Sequence, residues 1–305
     1  MTPNTYKPLF VLIFCAITTI GFSQSKSAAD VPVQSPDTTT TTKKAYLRIG
    51  IDYTSNNVFM GRTDTVKTPV ISPAIKYSFK SGVFISAGLD ILPKQKKSKL
   101  DGGNLELGYD FDITDNLSGG VSYTKLFYAT NSTQVSSSVS STLNGNFDYN
   151  IADIVTALLS FDYNVNKAGI NDDAVLNLGL SHDFIAEGVF GDKDIVLISP
   201  SVVTNMGTQN FYDGYLVKKK FKNAKLNAAE TKLFASYAAD LSQFKTLDYE
   251  FSLPIEYKNG PFIFHITPSY AQAENQFQSA AIRNLLGLSS QSNVFYVELG
   301  VALKF

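Results

Sequence analysis

The sequence has no tryptophan, two histidines and a single cysteine among its 305 residues. Cys15 lies within an apolar run near the start of the chain, and we interpret it as part of that run. The rest of the chain then has no disulfide, no thiolate metal site and no cysteine nucleophile. The sequence also contains no P-loop, HExxH or GxSxG motif and no clustered metal-ligand spacing. We therefore expect no enzyme, no cofactor and no bound metal.

Charged side chains are also scarce. They make up 17% of the chain, whereas about a quarter is usual in soluble proteins. The formal net charge of −1 argues against a nucleic-acid partner. After the first segment there is no run of 18 apolar residues, so no transmembrane helix is predicted. If the protein is integral to a membrane, it must cross as a β-barrel.

The start of the chain predicts export. Residues 1–23 are typical of a signal peptide, with Lys7 as the only charge, an apolar run from Leu9 to Ile20 and a small-x-small site before Gln24. We expect this segment to be removed. Residues 24–44 are rich in Ser, Thr and Pro, which predicts a flexible periplasmic leader. A spacer is our preferred interpretation of the leader, and a docking motif for an energising partner is the alternative.

Residues 45–305 are dominated by segments in which apolar and polar residues alternate, the two-residue period of a β-strand with unlike faces. Such segments match the length of tilted membrane-spanning strands. Their even number, and the alternation of short and long connections, is expected of a barrel with short periplasmic turns and long outer loops. The segments are 45–53, 72–79, 83–91, 104–112, 117–128, 141–150, 154–165, 174–184, 195–205, 246–257, 262–272 and 293–305.

This pattern predicts an all-β fold class, a single transmembrane up-and-down antiparallel β-barrel of about 12 strands over residues 45–305. A soluble β-sandwich could end on a similar strand. In residues 195–205 apolar side chains occupy both odd and even positions, and the segment contains Pro200, so the pattern does not show which face of this strand points inward. Short helices, or extensions of strands, are expected in two outer loops. One follows the capping box that begins at Asn227, and the other is 277–288.

The last segment also carries a family resemblance. Glu298, Gly300, Leu303 and Phe305 resemble the ending of bacterial outer-membrane β-barrels, where this motif is the signal for insertion. The resemblance implies the outer membrane of a Gram-negative bacterium, with the barrel-insertion machinery and periplasmic chaperones as partners. The stretch from Tyr53 to Gly61 is similar to the opening of a loosely defined outer-membrane group that includes proposed transporters. Met60 replaces the arginine that is commoner in that group.

The predicted inward face is rich in carboxylates, eleven against three basic side chains. One interpretation is that an aqueous lumen requires hydrophilic residues with partly paired charges. The other is a negative lumen that favours cations. The acids are Asp52, Asp90, Glu106, Asp110, Asp112, Asp148, Asp162, Asp248, Glu250, Glu256 and Glu298, and the bases are Arg48, Lys76 and Lys304. His265 is expected on the same face and His182 on the outer face near the periplasmic rim, both in structural roles.

The outer loops have the opposite charge. Lys94, Lys96, Lys97 and Lys99 lie in one loop, and five lysines lie between residues 218 and 225 in another. Solvated loops explain these clusters, and contact with anionic outer-membrane lipid, lipopolysaccharide or surface polysaccharide is the alternative.

The sequence thus predicts a passive channel for small hydrophilic solutes with a mild preference for cations. A non-conducting barrel that anchors its outer loops for adhesion or envelope organisation is the second hypothesis. An outer-membrane phospholipase ranks third. A TonB-type transporter is disfavoured because no plug domain is expected before the first strand.

Overall fold

The computed structural model of the protein describes residues 44–63, 67–94, 99–130, 132–167, 171–212, 228–275 and 293–305. The predicted signal peptide, nearly all of the leader and the second predicted loop helix lie outside these residues.

Seventeen strands, one α-helix and one 3-10 helix make up the regular structure of these residues. The strands are β1 Tyr46–Thr54, β2 Val58–Phe59, β3 Arg62–Thr63, β4 Val70–Ser78, β5 Val83–Ile91, β6 Leu100–Thr114, β7 Leu117–Tyr128, β8 Val139–Ile151, β9 Val155–Asn166, β10 Asp173–Ser181, β11 Phe184–Glu187, β12 Asp194–Ile198, β13 Ser201–Gly207, β14 Lys245–Ser252, β15 Ile255–Asn259, β16 Phe262–Ala273 and β17 Val294–Lys304. The helices are the 3-10 helix Val135–Ser138 and α1 Ala228–Leu241.

The strands close into an antiparallel barrel of 12 transmembrane segments, which confirms the predicted fold. We call each segment a stave, and three of the staves consist of two consecutive strands. Strand β1 pairs with β4, each stave then pairs with the next one along the chain, and β17 pairs with β1 to close the barrel. In this seam Ile49 lies opposite Leu303 and Asp52 lies opposite Gly300. The short pair β2 and β3 forms a separate hairpin between β1 and β4. Closure leaves no open sheet edge in the barrel wall, as a membrane-spanning sheet requires.

Three adjacent staves are interrupted, which corrects the continuous strands predicted there. The breaks lie at the same height, because His182 N–H donates to the Pro200 carbonyl and Ser199 N–H donates to the Pro254 carbonyl. Pro200 and Pro254 lie in two of these breaks, where proline has no N–H to donate to a ladder, and the third break, at His182 and Asp183, contains no proline. The interrupted staves are β10 with β11, β12 with β13, and β14 with β15, which replace the predicted strands 174–184, 195–205 and 246–257.

The outer face of the barrel is apolar. Ile49 is 44% exposed, Leu107 56% and Phe161 47%, and many Ile, Leu, Val, Phe and Tyr side chains at alternate positions have similar exposure. An apolar patch of this extent does not occur on a soluble monomer. Because the barrel is closed and its outer face is apolar, we assign it to the class of transmembrane barrels found in outer membranes.

The two ends of the barrel differ in their connections. At one end the chain reverses through short turns such as 79–82 and 115–116. At the other end the connections are long and carry the β2–β3 hairpin, the 3-10 helix and α1. By the usual asymmetry of such barrels, the long connections face the cell exterior. Helix α1 confirms the helical alternative for the first of the two predicted loop helices. No helix among the described residues is both long and apolar enough to span a bilayer.

Candidate functional site

The interior of the barrel is polar and tightly filled. The predicted inward charges other than Asp112 lie on the face opposite the exposed apolar residues, whereas Asp112, beside a register shift near the end of β6, is exposed. The nearly inaccessible ones are Arg48, Asp52, Lys76, Glu106, Asp148, Asp162, Asp248 and Glu256. Asp90, Asp110, Glu250, His265 and Glu298 are partly accessible. Among the described inward positions, most polar side chains are similarly buried, so these side chains themselves occupy much of the lumen.

A charged cluster lies across the seam where the barrel closes. His265 Nε2 on β16 is 3.1 Å from Asp52 Oδ1 on β1 and 3.6 Å from Glu298 Oε1 on β17. Thr54 Oγ1 donates to the other oxygen of Glu298 at 3.3 Å. The bridge from β1 to β16 passes over Gly300, where an added Cβ would lie 1.9 Å from Asp52 Oδ1. Gly300 therefore leaves the space through which His265 reaches Asp52, and this packing role is separate from the role predicted for it in the membrane-insertion signal.

Some interior carboxylates accept hydrogen bonds from neutral donors. Asp162 accepts hydrogen bonds from Asn144 Nδ2 at 2.6 Å and from Asn177 Nδ2 at 3.1 Å. Glu106 accepts a hydrogen bond from the Ser86 hydroxyl at 3.2 Å. Hydrogen bonds to a carboxylate are stronger than those between neutral groups, so they fix these side chains within the lumen.

Basic side chains in the interior contact aromatic rings as well as carboxylates. The Lys76 ammonium lies 3.7 Å from the centre of the Phe84 ring, and the Lys304 ammonium lies 4.2 Å from that of Tyr46. Cation–π contacts of this kind are strongest where water is excluded. Lys258 Nζ is 3.0 Å from Glu256 Oε1 near the periplasmic end.

An apolar cluster, which we call the outer plug, lies at the exterior end of the barrel. The Phe59 and Phe211 rings meet edge to face, with their centroids 4.7 Å apart. The outer plug consists of the loop-borne residues Phe59, Met60, Val135, Phe211, Tyr212, Tyr237 and Leu241, and it packs against Leu126, Val139, Val175 and Leu247 of the wall. None of these side chains is more than 7% exposed. Water has no continuous polar path through such a cluster.

Arg62 fixes the hairpin that carries Phe59. Its Nε and one terminal nitrogen donate to Gln209 Oε1 at 3.1 and 2.8 Å, and the remaining donors reach the Leu247 and Glu274 carbonyls at 3.2 and 2.8 Å. Burial lowers the pKa of the Arg62 guanidinium, and the charge of the nearby Asp248 opposes this shift. One side chain thus links β3 to the loops that follow β13 and β16 and to β14.

The turn of the β2–β3 hairpin is shaped for a close approach to the wall. Met60 and Gly61 have φ angles of 49° and 66°, the left-handed conformation of a tight hairpin turn. A Cβ on Gly61 would lie 2.7 Å from the Cβ of Asp248. Only glycine therefore lets the hairpin fold down to the level of this carboxylate.

Asp173, at the start of β10, fixes a second part of the outer plug. Its carboxylate accepts the backbone N–H groups of Asn210 at 2.6 Å and Phe211 at 2.7 Å, and the Thr208 hydroxyl at 2.7 Å. Ser138 also donates to the Phe211 carbonyl at 2.6 Å. The short helical turn at 210–212 is therefore held by Asp173 at the start of β10 and by Ser138 of the 3-10 helix.

Sequence reasoning missed Arg62, Gln134, Asp173 and Gln209 as site residues. Gln134 donates to Asp101 Oδ2 at 2.9 Å and accepts from Asn57 at 3.3 Å, so it joins two outer loops. These polar residues lie in or beside loops, and the strand pattern gives no signal for them. Among the described residues no group of His, Cys, Asp and Glu side chains could hold a metal ion.

Comparisons with known proteins give matches among solved structures but none in sequence. No protein-family model matches the chain, and no curated protein matches it in sequence. Among solved structures, it is similar to the KdgM porin, with a TM-score of 0.48, 9% identity, and coverage of 85% of this chain and 99% of that one. For the NanC porin the values are 0.45, 10%, 85% and 100%, and for LpxR from Salmonella typhimurium 0.45, 10%, 84% and 99%. Similarity at this level does not indicate a function.

Proposed function

We propose that this protein is an outer-membrane channel for small hydrophilic solutes, closed in the described conformation by the outer plug. The observation that carries the proposal is the contrast between the wall and the outer plug. The inward residues of the strands are polar and charged along the wall, whereas the apolar barrier at the mouth comes mainly from loop segments. Loops can move without breaking the barrel, so a charged interior behind a loop-built barrier has the architecture of a gated passage.

A mild preference for cations is part of this proposal. The predicted inward positions carry eleven carboxylates and three basic groups. Fixed negative charge lining a narrow passage raises the local concentration of cations and lowers that of anions.

A non-conducting barrel is the second candidate, and the outer plug itself favours it. Phe211 and Leu241 are 0% exposed and Phe59 is 1% exposed. Interiors packed this closely resist opening. If the outer plug never leaves the mouth, the barrel serves as an anchor and the outer loops form its functional surface.

Planar-bilayer recording of variants with a weakened outer plug separates the two candidates. Arg62→Gln removes charged donors from Gln209 and the loop carbonyls, and Phe59→Ser removes the central aromatic contact. We expect longer or more frequent openings than in the wild type, with a cation-selective reversal potential in a KCl gradient. The matched controls are Lys193→Gln and Phe190→Ser in the exposed turn at the other end of the barrel, where Phe190 is 80% exposed.

The outcomes are distinct. If folded wild-type protein and both plug variants carry no current, the channel proposal is wrong and the anchor is supported. If the wild type conducts as readily as the plug variants, the outer plug does not close the passage. Folding of every variant is checked by the heat-dependent shift of the barrel on gels, so a lack of current cannot be attributed to misfolding.

A further inference from the structure

The periplasmic end of the lumen has a row of positive charge that the proposed function does not explain. Arg48 on β1 lies directly opposite Lys304 on β17 and directly opposite Lys76 on β4. Arg48 and Lys76 are each 5% exposed on the inward face, and Lys304 is half-buried. We call these three residues the basic row. Like charges directly opposite each other destabilise a sheet, so the row gains from an anionic partner.

The two lysines of the basic row do not find that partner in the wall. Among the described residues, the ammonium groups of Lys76 and Lys304 lie over aromatic rings at 3.7 and 4.2 Å and form no ion pair. The carboxylate that acts on Lys304 is Glu256, which already binds Lys258 at 3.0 Å. Glu106 lies two strands away from Lys76. Both ammonium groups can therefore bind an anion that enters the lumen.

Two acids, which we call the acidic pair, lie on another part of the same wall. Asp148 on β8 is 3% exposed, and its Oδ2 has no hydrogen-bond partner among the described residues. The charge of Asp110 on β6 acts on Asp148. Asp110 Oδ1 lies 3.0 Å from the position that a Cβ on Gly120 of β7 would take, so Asp110 turns toward β8. A buried carboxylate oxygen without a donor is costly, so the acidic pair gains from a cationic partner.

Backbone hydrogen bonds place the basic row and the acidic pair at the level of the short turns. Lys304 N–H donates to the Pro261 carbonyl at 2.9 Å, in the turn between β15 and β16. Asp110 N–H donates to the Gly82 carbonyl at 3.0 Å, in the turn between β4 and β5. Asp148 pairs near the start of β7, directly after another short turn. The inner mouth is therefore basic on one side and acidic on the other.

Phe84 on β5 lies between the two sides. The Lys76 ammonium is 3.7 Å from the centre of its ring. The far edge of the ring lies over Gly108 of β6, where an added Cβ would overlap it. Asp110 is two residues beyond Gly108 on that strand, about 7 Å away along the backbone. The ring thus provides an apolar surface between a cation and a carboxylate.

We propose that this end of the lumen binds short zwitterionic solutes, of the class of amino acids with well-separated charges and small peptides. The carboxylate of the solute contacts the basic row, its ammonium contacts the acidic pair, and the apolar chain between them crosses Phe84. Hydrogen bonds between charged groups of this kind are about twice as strong as neutral ones. The inference rests on the proposed function, since it names the solutes for that passage. The site lies at the opposite end from the outer plug, on the periplasmic side.

A solute with both charges fits this mouth better than an ion of one sign. The Debye length is about 10 Å at an ionic strength of about 0.1 M, so each side of the mouth acts on a charge bound at the other. A simple anion on the basic row is repelled by the acidic pair, and a simple cation on the acidic pair is repelled by the basic row. A zwitterion satisfies both sides at once.

The test measures binding to the full-length protein in non-ionic detergent micelles, so it requires no current. Saturation-transfer NMR titrations at pH 8 and constant ionic strength compare 5-aminopentanoate with pentanoate and pentylammonium, which each have one of its two charges. We expect 5-aminopentanoate to bind about tenfold more tightly than either, because it makes one more charge-assisted contact.

Two pairs of substitutions locate the binding. Lys304→Gln with Asp148→Asn should weaken 5-aminopentanoate by about tenfold or more. Lys193→Gln with Asp192→Asn removes the same formal charges from an exposed turn at the same end and should bind as the wild type does. Asp148→Asn alone should weaken 5-aminopentanoate but not pentanoate, which a general loosening of the barrel would not do. The heat-dependent shift on gels confirms that each variant is folded.

Three results would overturn the proposal. These are equal affinity for pentanoate and 5-aminopentanoate, equal weakening by the two pairs of substitutions, and no saturable binding of 5-aminopentanoate. The channel proposal is judged separately. If 5-aminopentanoate binds as expected but the plug variants carry no current, the site stands and the channel proposal is wrong. If the plug variants conduct but 5-aminopentanoate does not bind, the site alone is refuted.

Discussion

At Gly300 the absence of a side chain allows a contact between strands that are not adjacent. His265 on β16 reaches Asp52 on β1 across β17, at a nitrogen-to-oxygen distance of 3.1 Å. The backbone of Gly300 lies beneath this bridge. A glycine in a strand is otherwise unfavourable, since it contributes no packing and loses more entropy on folding than other residues. The seam accordingly gains a polar link among its three strands, and the glycine makes that link sterically possible.

Gly300→Ala should destabilise the barrel in the absence of any cellular insertion machinery. The new Cβ would lie within 2.5 Å of atoms of Asp52 and His265, so these side chains must move. Overpacking of this kind costs about 1–3 kcal/mol. Refolding into detergent micelles followed by thermal unfolding should show a lower Tm and a lower yield of the heat-modifiable form.

Gly145→Ala is the matched control for this prediction. A Cβ at Gly145, also within a strand, would meet no atom within 4 Å. Equal Tm values for Gly145→Ala and Gly300→Ala would contradict the proposed steric role. A normal Tm for Gly300→Ala combined with poor assembly in cells would assign the glycine to the insertion signal alone.

At the scale of elements, the barrel and the outer plug follow different rules. Every spanning strand has one face toward lipid and one toward the interior, so its fold appears in the sequence as simple alternation. That is why the predicted strands reproduce the 12 staves. The three interrupted staves were not predicted, because apolar residues lie on both sides of Pro200 and Pro254 and the break at 182–183 contains no proline.

The outer plug could not have been predicted in the same way. Arg62 and Gln209 are 147 residues apart, and Ser138 and Phe211 are 73 apart. A polar residue in a loop has the same local sequence environment whether it bonds to solvent or to a distant loop. The predicted inward charges were assigned from the two-residue alternation along each strand. The residues that hold the outer plug depend instead on contacts between distant loops, which leave no periodic pattern in the sequence.

The segment 208–212 should depend on Asp173. Asp173→Ala leaves the buried N–H groups of Asn210 and Phe211 without their acceptor, and each such loss costs about 1–3 kcal/mol. Hydrogen exchange measured by mass spectrometry should become roughly tenfold faster, or more, in this segment. The rest of the wall should keep its protection.

The adjacent acid provides the control for Asp173. The Asp172 carboxylate accepts from the Tyr163 hydroxyl at 3.0 Å and from Asn166 N–H at 2.9 Å. Its backbone carbonyl accepts from Asn210 Nδ2 at 2.9 Å, a bond that remains in Asp172→Ala. Asp172→Ala should leave exchange in the segment close to wild type. Equal acceleration by both variants would mean that the segment responds to general loosening of the loop before β10.

At the scale of the whole molecule, the charge of the interior should set ion selectivity once the mouth is open. At an ionic strength of about 0.1 M the Debye length is about 10 Å, so a carboxylate on the wall still acts on an ion in a narrow lumen. Glu106 and Asp162 are 5% and 6% exposed and face inward from β6 and β9. Their fixed charge should favour cations along the passage.

Neutralising these two acids in the conducting Arg62→Gln background tests this argument. Glu106→Gln with Asp162→Asn should move the reversal potential in a KCl gradient toward zero, because fewer fixed charges then exclude chloride. Asp115→Asn with Asp192→Asn, at exposed turn positions, removes the same formal charge and should leave the potential unchanged. If both pairs shift the potential equally, surface charge rather than the interior controls selectivity. If neither pair shifts it, the current bypasses the acidic wall, and the polar interior is there to fill the barrel rather than to conduct.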